Sequence, residues 1–362
     1  MFDFAVVGAG MAGASIAAEL AGYARVLLLE AENAAGYHTT GRSAAFWEEC
    51  YGGPEIVPLT LASGPYLREH GFLRQRGALY IGRDSEASLL DDFMARFANT
   101  GATIERLDRA GVSTLIPGLR AEWTGAIFER ACADIDVAGL HQHYLALARS
   151  RGAVSQMGAR VAGLSREDGV WHIASEGGES FRAATLVNAA GAWADRLAAM
   201  AGARPLGIQP LRRTVVQLRT EPTPPPDLPL VLDIAGRFYF KPDAGRLWLS
   251  PHDETPSDPC DAAPEELAVA EAIDRFESVV NWKVEAVERR WAGLRSFAPD
   301  RLPVYGRDPR AEGFAWFAGQ GGFGIQTAPA AARLAAQELL GLERDEMTRN
   351  LDAQQYRPSR FD

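Results

Sequence analysis

The sequence predicts an α/β (α+β) chain: a parallel-stranded domain assembled from separate stretches, with a mixed or antiparallel β-sheet domain inserted into it. Three observations lead there. An apolar strand, a glycine-rich turn, a helix and a second strand open the chain. A strand, another glycine-rich loop and a well-signalled helix close it. Short strands separated by turn signals fill the middle, with no internal repeat.

The elements follow in order. Phe2–Val7 is an apolar run rich in β-formers. Gly8–Gly13 breaks it, and small residues from Met11 to about Leu20 read as a helix ended by Gly22. Arg25–Glu30 is the next strand, so the opening is a βαβ unit with parallel strands. Gly77–Gly82, Gly125–Glu129, Val170–Ser175 and Ser180–Val187 are expected strands. Leu140–Arg149 carries a helical apolar stripe. Val215–Leu218, Val231–Asp233, Phe238–Lys241 and Leu247–Ser250 suggest an antiparallel sheet, with the Pro-rich Glu221–Pro229 as an exposed loop. Pro264–Phe276 reads as a helix and Phe314–Ala318 as an apolar strand. The last helix begins at Thr327, with an early Pro329, and stops at Gly341. We divide the chain accordingly: residues 1–45, 137–205 and 296–362 form the first domain, and 46–136 and 206–295 the inserted one.

Bulk properties narrow the class. Of 362 residues, 47% are hydrophobic and 23% charged, as in soluble globular proteins. A net charge of -10 argues against a nucleic-acid partner, which needs a basic footprint. No apolar run reaches the roughly 18 residues of a transmembrane helix. Asp3 stands where a secretory signal would be basic. The expected location is the cytoplasm, or the periphery of the inner membrane. Cys50, Cys132 and Cys260 are widely spaced and read as reduced thiols. The histidines are scattered. His141 and His143 sit two apart on a helix and face different ways, so no metal site is expected.

The opening glycines carry the first chemical signal. Gly8-x-Gly10-x-x-Gly13 follows a strand, opens a helix, and precedes a strand ending in an acid, Glu30. In a Rossmann-like unit Gly8 makes the tight turn, Gly10 lets backbone approach a pyrophosphate, and Gly13 lets the helix pack closely. The helix N-terminus meets the phosphates, and Glu30 can accept from ribose hydroxyls. The motif alone does not separate FAD from NAD. Residues 37–45 and Leu186–Asp195 favour FAD: the first is a polar, glycine-containing segment, with Arg42 and Ser43 in reach of a long pyrophosphate. The second is an apolar strand running into small residues, suited to a flat ligand.

Eight segments then point to a family. GAGMAGAS (8–15), GYHTTGRSAA (36–45), ADIDVAGLHQ (133–142), LVNAAGAWAD (186–195), RPLGIQPLRR (204–213), FYFKPDAG (238–245), WAGLRSFAPD (291–300) and GQGGFGIQT (319–327) span nearly the whole chain. The chain resembles the D-amino-acid oxidase superfamily of FAD-dependent oxidoreductases, most of all its D-arginine dehydrogenase type. The resemblance implies noncovalent FAD held by Gly8, Gly10, Met11, Ala12 and Gly13, then by Glu30 and Ala31. Thr40, Gly41, Arg42, Ser43 and Ala44 follow, with Arg160, Val161, Ala190, Gly191 and Trp193. Gly321, Gly322, Phe323, Gly324, Ile325, Gln326 and Arg295 complete the set. It also implies substrate contacts from Tyr51, Arg213, Tyr239, Arg295 and Gln326. Phe46 replaces a site histidine of the D-arginine enzyme. Gly77-Ala78 stands in the segment where that enzyme has an acid for the guanidinium. Both departures shift the expected side chain toward neutral or aromatic.

The residues support that chemistry. Oxidation of an amino acid moves a hydride from Cα to flavin N5, so the α-carboxylate must be held in one orientation. A guanidinium fork matches a carboxylate with two parallel bonds. Arg295 lies in the apolar run Trp291–Phe297 and needs a partner, either a protein acid or a ligand carboxylate. Arg212 and Arg213 alternate on a strand, so one faces a site, and Arg213 is our choice. Tyr51 and Tyr239 can donate hydroxyl bonds, or be plain half-buried tyrosines. Gly319–Gln326 has four glycines in eight residues, and lets backbone approach a ligand just before a helix.

The expected activity is oxidative deamination of a D-amino acid to an imino acid. A quinone or other carrier, or oxygen, is the electron acceptor. Within the superfamily the alternatives are an amine oxidase acting on sarcosine, glycine or proline-like substrates, and a 2-hydroxy-acid dehydrogenase. Such amine oxidases often place a lysine near the flavin, and Lys241 and Lys283 are the only two here. From another class, an electron-transfer subunit without its own substrate would not need the arginines.

Overall fold

The computed structural model describes all 362 residues. Two large sheets and one small one carry the chain, and the fold is the mixed α/β arrangement the sequence predicts. The eight-stranded sheet is parallel at its centre. Phe2–Val7 lies between Val26–Leu29 and Ser180–Asn188, with Val154–Gln156 and Phe314–Ala318 beyond them, all parallel. Antiparallel pairs, Val161–Glu167 with Val170–Ser175 and Val304–Arg307 with Phe314–Ala318, finish it. The central strands are buried on both faces, as parallel strands must be. Helices Met11–Ala21, Val137–Ser150 and Ala328–Leu340 pack together over one face, in a core of 35 buried residues. Alanine dominates both the first and the last helix, so their backbones approach closely. The last helix ends where Gly341 turns left-handed, at φ 66°.

The ten-stranded sheet runs from Gln320–Gly321 through Lys283–Phe297, Gln209–Glu221, Arg246–Ser250, Tyr239–Asp243, Leu230–Asp233, Ala78–Arg83 and Trp123–Glu129 to Ile104–Asp108. It is antiparallel except where Leu230–Asp233 runs alongside Ala78–Arg83, so it too is mixed. Its backbone is the pair Gln209–Glu221 and Lys283–Phe297. The sequence shows only the apolar middle of the first strand and end of the second. The rest is charged and half-exposed, and pairing along the full length holds it extended. Helices Val57–Glu69 and Ala87–Phe97 also escaped sequence reading. The first carries Pro58, Gly64 and an internal Pro65, and forms because Gly64 lets it sit against the Trp47 ring.

The two large sheets meet where Gln320–Gly321 pairs with Ser296 and Phe297. The glycine-rich loop is thus stitched to the strand that bears Arg295. No helix is long and apolar enough to cross a membrane.

Candidate active site

A long cleft runs over the carboxyl ends of the parallel strands. One end is lined by Glu30, Arg160 and Val161, the other by Arg295, Gly321 and Gly322. Parallel sheets place ligands at that edge. The opening turn forms one wall, and its glycines are needed. Gly8 has φ 103°, and a Cβ there would lie 2.5 Å from the Ala189 carbonyl oxygen. A Cβ on Gly13 would lie 1.6 Å from the Gly8 carbonyl oxygen, so any side chain would push the helix off the turn. The helix starts at Met11 with no side-chain cap from Gly10, and Met11 N donates to Thr40 Oγ1 at 2.9 Å.

Glu30 is fixed before any ligand arrives. Its carboxylate accepts from Ala9 N at 2.7 Å and from Glu32 N at 3.0 Å. Glu32 pairs with Arg160 at 3.2 Å and lies 3.1 Å from His38 Nε2. The His38 ring leans on Trp193, centroids 4.7 Å apart. His141, which sequence reasoning set aside, donates from Nε2 to the Ala9 carbonyl at 2.9 Å and pins the turn from behind. Burial pushes its pKa down, so the neutral form makes this bond. A buried histidine on a helix facing the glycine turn was the available signal.

Most residues anticipated for the cofactor line this cleft. They run from Gly8, Gly10, Met11 and Ala12 through Glu30, Ala31, Thr40 and Ser43 to Arg160 and Val161. Ala190, Gly191, Trp193, Arg295, Gly321, Gly322, Gly324 and Ile325 complete the set. Others lie behind it. Arg42 does not extend along the cleft. It pairs with Asp261 and donates to the Ala262 and Ala292 carbonyls at 2.9 and 3.2 Å. Gly41 packs on the Gly36 carbonyl, Ala44 is buried, and Phe323 packs between Tyr51 and Phe297. Gln326 is turned inward. Its amide donates to the Glu48 carbonyl at 3.1 Å and to Thr60 Oγ1 at 2.8 Å, and accepts from Glu48 N at 3.2 Å. It clamps the Glu48–Tyr51 segment instead of facing the cleft.

The remaining anticipated residues converge at the far end. Arg213 is buried, and Arg295 donates to Tyr51 Oη at 2.6 Å. A Cβ on Gly322 would strike that hydroxyl at 2.1 Å, so the glycine loop lies directly on the pair. Arg213 donates from Nε to the Asp253 carbonyl at 2.7 Å and from Nη2 to Glu254 at 3.2 Å, which leaves its Nη1 buried without a partner. Tyr239 Oη is likewise buried and unpaired. Burial and the neighbouring Arg295 both push the Arg213 guanidinium below its ordinary pKa. Burial opposes the Arg295 cation as well, but Tyr51, Tyr239, Glu254 and Asp253 hold it above its ordinary value. Two guanidiniums held together, with buried donors unmet, call for an anion. Phe46 supplies an aromatic wall, 5.9 Å from both Tyr51 and Tyr239 by ring centroids. Behind it Glu48 is fully buried, accepts from Tyr80 Oη, and leaves Oε2 unpaired. The segment Arg76–Tyr80 itself carries no acid, and Glu48 reaches Tyr80 from the segment just after Phe46. Of the two lysines, Lys241 pairs with Asp134 at 2.6 Å, and Lys283 opens the long strand.

The cleft fits FAD on its own features. Its glycines leave room that a Cβ would fill, its acid is preset at the strand end, and the buried Gln320 Nε2 on its wall lacks a partner. Residues 3–338 match the family model described as "DAO: FAD dependent oxidoreductase". The chain is 27% identical to the glycine oxidase of Geobacillus kaustophilus over 355 residues, covering 92% of each. The crystal structure of that glycine oxidase superposes with a TM-score of 0.85 at 25% identity, covering 98% of both chains. Hydrogen cyanide synthase subunit HcnC of Pseudomonas aeruginosa is 25% identical, over 76% of this chain and 68% of that one. L-2-hydroxyglutarate dehydrogenase of Escherichia coli K12 is 27% identical, over 57% of this chain and 51% of that one. These relatives do not single out the D-arginine dehydrogenase type. With its glycine cradle and preset acid, this chain belongs to the DAO family of FAD-dependent oxidoreductases.

Proposed function

We propose that the protein oxidises a D-amino acid at Cα, converting it to the imino acid. The reading is carried by the Arg213 and Arg295 pair, whose unmet Arg213 Nη1 and nearby unmet Tyr239 Oη await a carboxylate. A bidentate guanidinium–carboxylate contact fixes the plane of the carboxylate and so the direction of the Cα–H bond. Tyr51, bonded to Arg295, and Tyr239 add hydroxyl donors on either side. FAD, when bound, supplies the hydride acceptor. Arg295 lines the cleft as well as belonging to the clamp, which supports a Cα position at the cleft's end. Phe46, Tyr51 and Tyr239 exclude water and favour a neutral side chain. The electrons then pass to a quinone or other carrier, or to oxygen.

A second reading is a 2-hydroxy acid. The clamp is indifferent to the atom on Cα, and the similar Escherichia coli protein is named for L-2-hydroxyglutarate. Anaerobic mixing of the purified flavoprotein with D- and L-amino acids, glycine and 2-hydroxy acids separates the readings. Bleaching by D-amino acids is the expected result. Bleaching by 2-hydroxy acids alone would replace the first reading with the second, and no bleaching at all would sink both. Re-admitting air then tells oxidase from dehydrogenase.

A further inference from the structure

One imidazole stands beside the clamp, and the chemistry described so far makes no use of it. His252 follows the strand Arg246–Ser250 and adopts a left-handed φ of 57°, a conformation uncommon for a residue with a side chain. Its N–H donates to Ser250 Oγ at 3.1 Å. The ring is placed by two contacts, and its neighbours in sequence tie the loop to the clamp. Nδ1 lies 2.8 Å from the Gly236 carbonyl oxygen at the tip of the neighbouring hairpin. The ring meets Tyr239 edge-on, centroids 5.7 Å apart at 83°. The next two residues hold Arg213, through the Asp253 carbonyl and the Glu254 carboxylate. The loop then returns to the same strand, where Arg212 pairs with Thr255.

A carbonyl only accepts, so the bond to Gly236 places the proton on Nδ1 and leaves Nε2 with a bare lone pair. The charged groups around the ring keep it so. Arg213 and Arg295 come from the two long strands, and Arg301 from the loop after the second. Burial and these three cations push the imidazole pKa down to about 3. The acids on its own loop are engaged elsewhere, Asp253 with Thr214 and Glu254 with Arg213 and Arg301. The cations that call for a carboxylate therefore also keep this imidazole neutral. An amino acid held by its carboxylate brings an ammonium group to the same place. The two arginines are donors only and cannot receive its N–H bonds.

We propose that His252 Nε2 accepts a hydrogen bond from the α-amino group of the clamped substrate, orienting the nitrogen on Cα. The proposal rests on the amino-acid reading above. It makes His252 a substrate-binding residue, and a neutral acceptor rather than a titrating base.

The test compares His252→Leu, which removes the acceptor, with His252→Gln, which keeps one. Two dissociation constants are read anaerobically from the flavin spectrum. One is for the amino acid that reduces the wild-type flavin fastest, and the other is for its deaminated carboxylate. A hydrogen bond to a charged group corresponds to roughly 10- to 100-fold in affinity. His252→Leu should lose that much for the amino acid and nothing for the carboxylate, and His252→Gln should recover most of it. The wild-type profile of kcat/KM should show no histidine limb between about pH 5 and 8. Amino-acid affinity unchanged in His252→Leu would overturn the proposal. So would an equal loss for both ligands, which marks a purely structural role, or a limb near pH 6.5 that His252→Gln removes. Wild-type flavin that no amino acid bleaches would refute the amino-acid reading itself, a distinct outcome.

Discussion

The two ends of the cleft are built on opposite terms. At the nucleotide end the charges beside the glycine turn are answered within the protein: Glu30 by two backbone N–H groups, Glu32 by Arg160 and His38, Arg42 by Asp261, although His38 Nδ1 is buried without a partner. At the end proposed for the substrate, Arg213 Nη1 and Tyr239 Oη are buried and unmet. The first end is a finished mould, shaped by backbone and indifferent to small electrostatic changes. The second holds unsatisfied groups at a cost of about 1–3 kcal/mol each, recovered only when a ligand answers them. Steric changes should therefore damage the first end most, and polar deletions the second. At the second end they should cost affinity more than stability.

The largest expected effect is steric. Gly13→Leu places carbon where the Gly8 carbonyl oxygen already lies, 1.6 Å from the ideal Cβ. No rotamer relieves a clash at Cβ, so the helix must leave the turn. The variant should be recovered insoluble or colourless, judged by visible absorbance per unit protein. Full flavin content would show that the turn tolerates what its packing forbids.

Next comes the clamp. Arg213→Met should lower kcat/KM by about 10²–10³-fold, the scale on which truncating a buried charge contact operates. Flavin content should stay at the wild-type level, because Arg213 does not line the cleft. The flavin-loaded, substrate-free variant should be no less stable than wild type. It trades a buried, partly unpaired cation for an apolar chain of similar length. A parallel loss of flavin and activity would erase the distinction between the two ends.

The same contrast explains what could be read without coordinates. The nucleotide end is local: a strand, three glycines at fixed spacing and an acid lie within the first thirty residues, and each does one steric or hydrogen-bonding task. It was legible almost in full. Arg42 is the exception, because Asp261, more than two hundred residues away, claims it. The substrate end is non-local. Arg213, Tyr239 and Arg295 come from three strands of one sheet, and resemblance rather than spacing brought them together. Gln326 shows the limit, since its amide serves the Glu48 backbone, a contact no pattern encodes. Glu48 and His252 were invisible for a related reason. One is an acid in an acidic run, the other a loop histidine, until packing buries the first and fixes the tautomer of the second.

Glu48 and Glu129 give the third prediction, in pH. Burial pushes the Glu129 carboxyl up to about 8, although it accepts from Glu49 N and Cys50 N at 2.7 and 3.2 Å. Burial and Glu129 together raise Glu48 well above the usual carboxylate range. Both folded values exceed that of an unfolded glutamate, near 4.5. The folded protein thus binds more protons across this window. The Glu129 contribution is complete below about pH 4.5 and is lost as pH rises through about 8, by up to about 1.4 kcal/mol per pH unit, and the raised Glu48 adds a loss in the same direction. Glu48→Gln keeps the Tyr80 contact and the backbone bonds to Gln326, but removes one of the two charges. Its stability relative to wild type should therefore increase with pH across the window, by denaturant unfolding. A difference independent of pH would remove the pair as its source.

The smallest effect is the most diagnostic. Tyr239→Phe deletes one oxygen that is buried and has no partner. If that oxygen served the fold, its loss would destabilise by about 1 kcal/mol, as for any satisfied hydrogen bond. Because it is unmet in the free protein, stability should instead hold or rise slightly. The Phe46 and His252 rings still pack against the retained aromatic face. The loss should appear on substrate binding, as a rise of roughly 5- to 10-fold in KM for the amino acid, on the scale of one hydrogen bond. A destabilised variant with unchanged KM would show that the hydroxyl has a structural partner. The substrate end would then be as finished as the nucleotide end, and the asymmetry between them would fall.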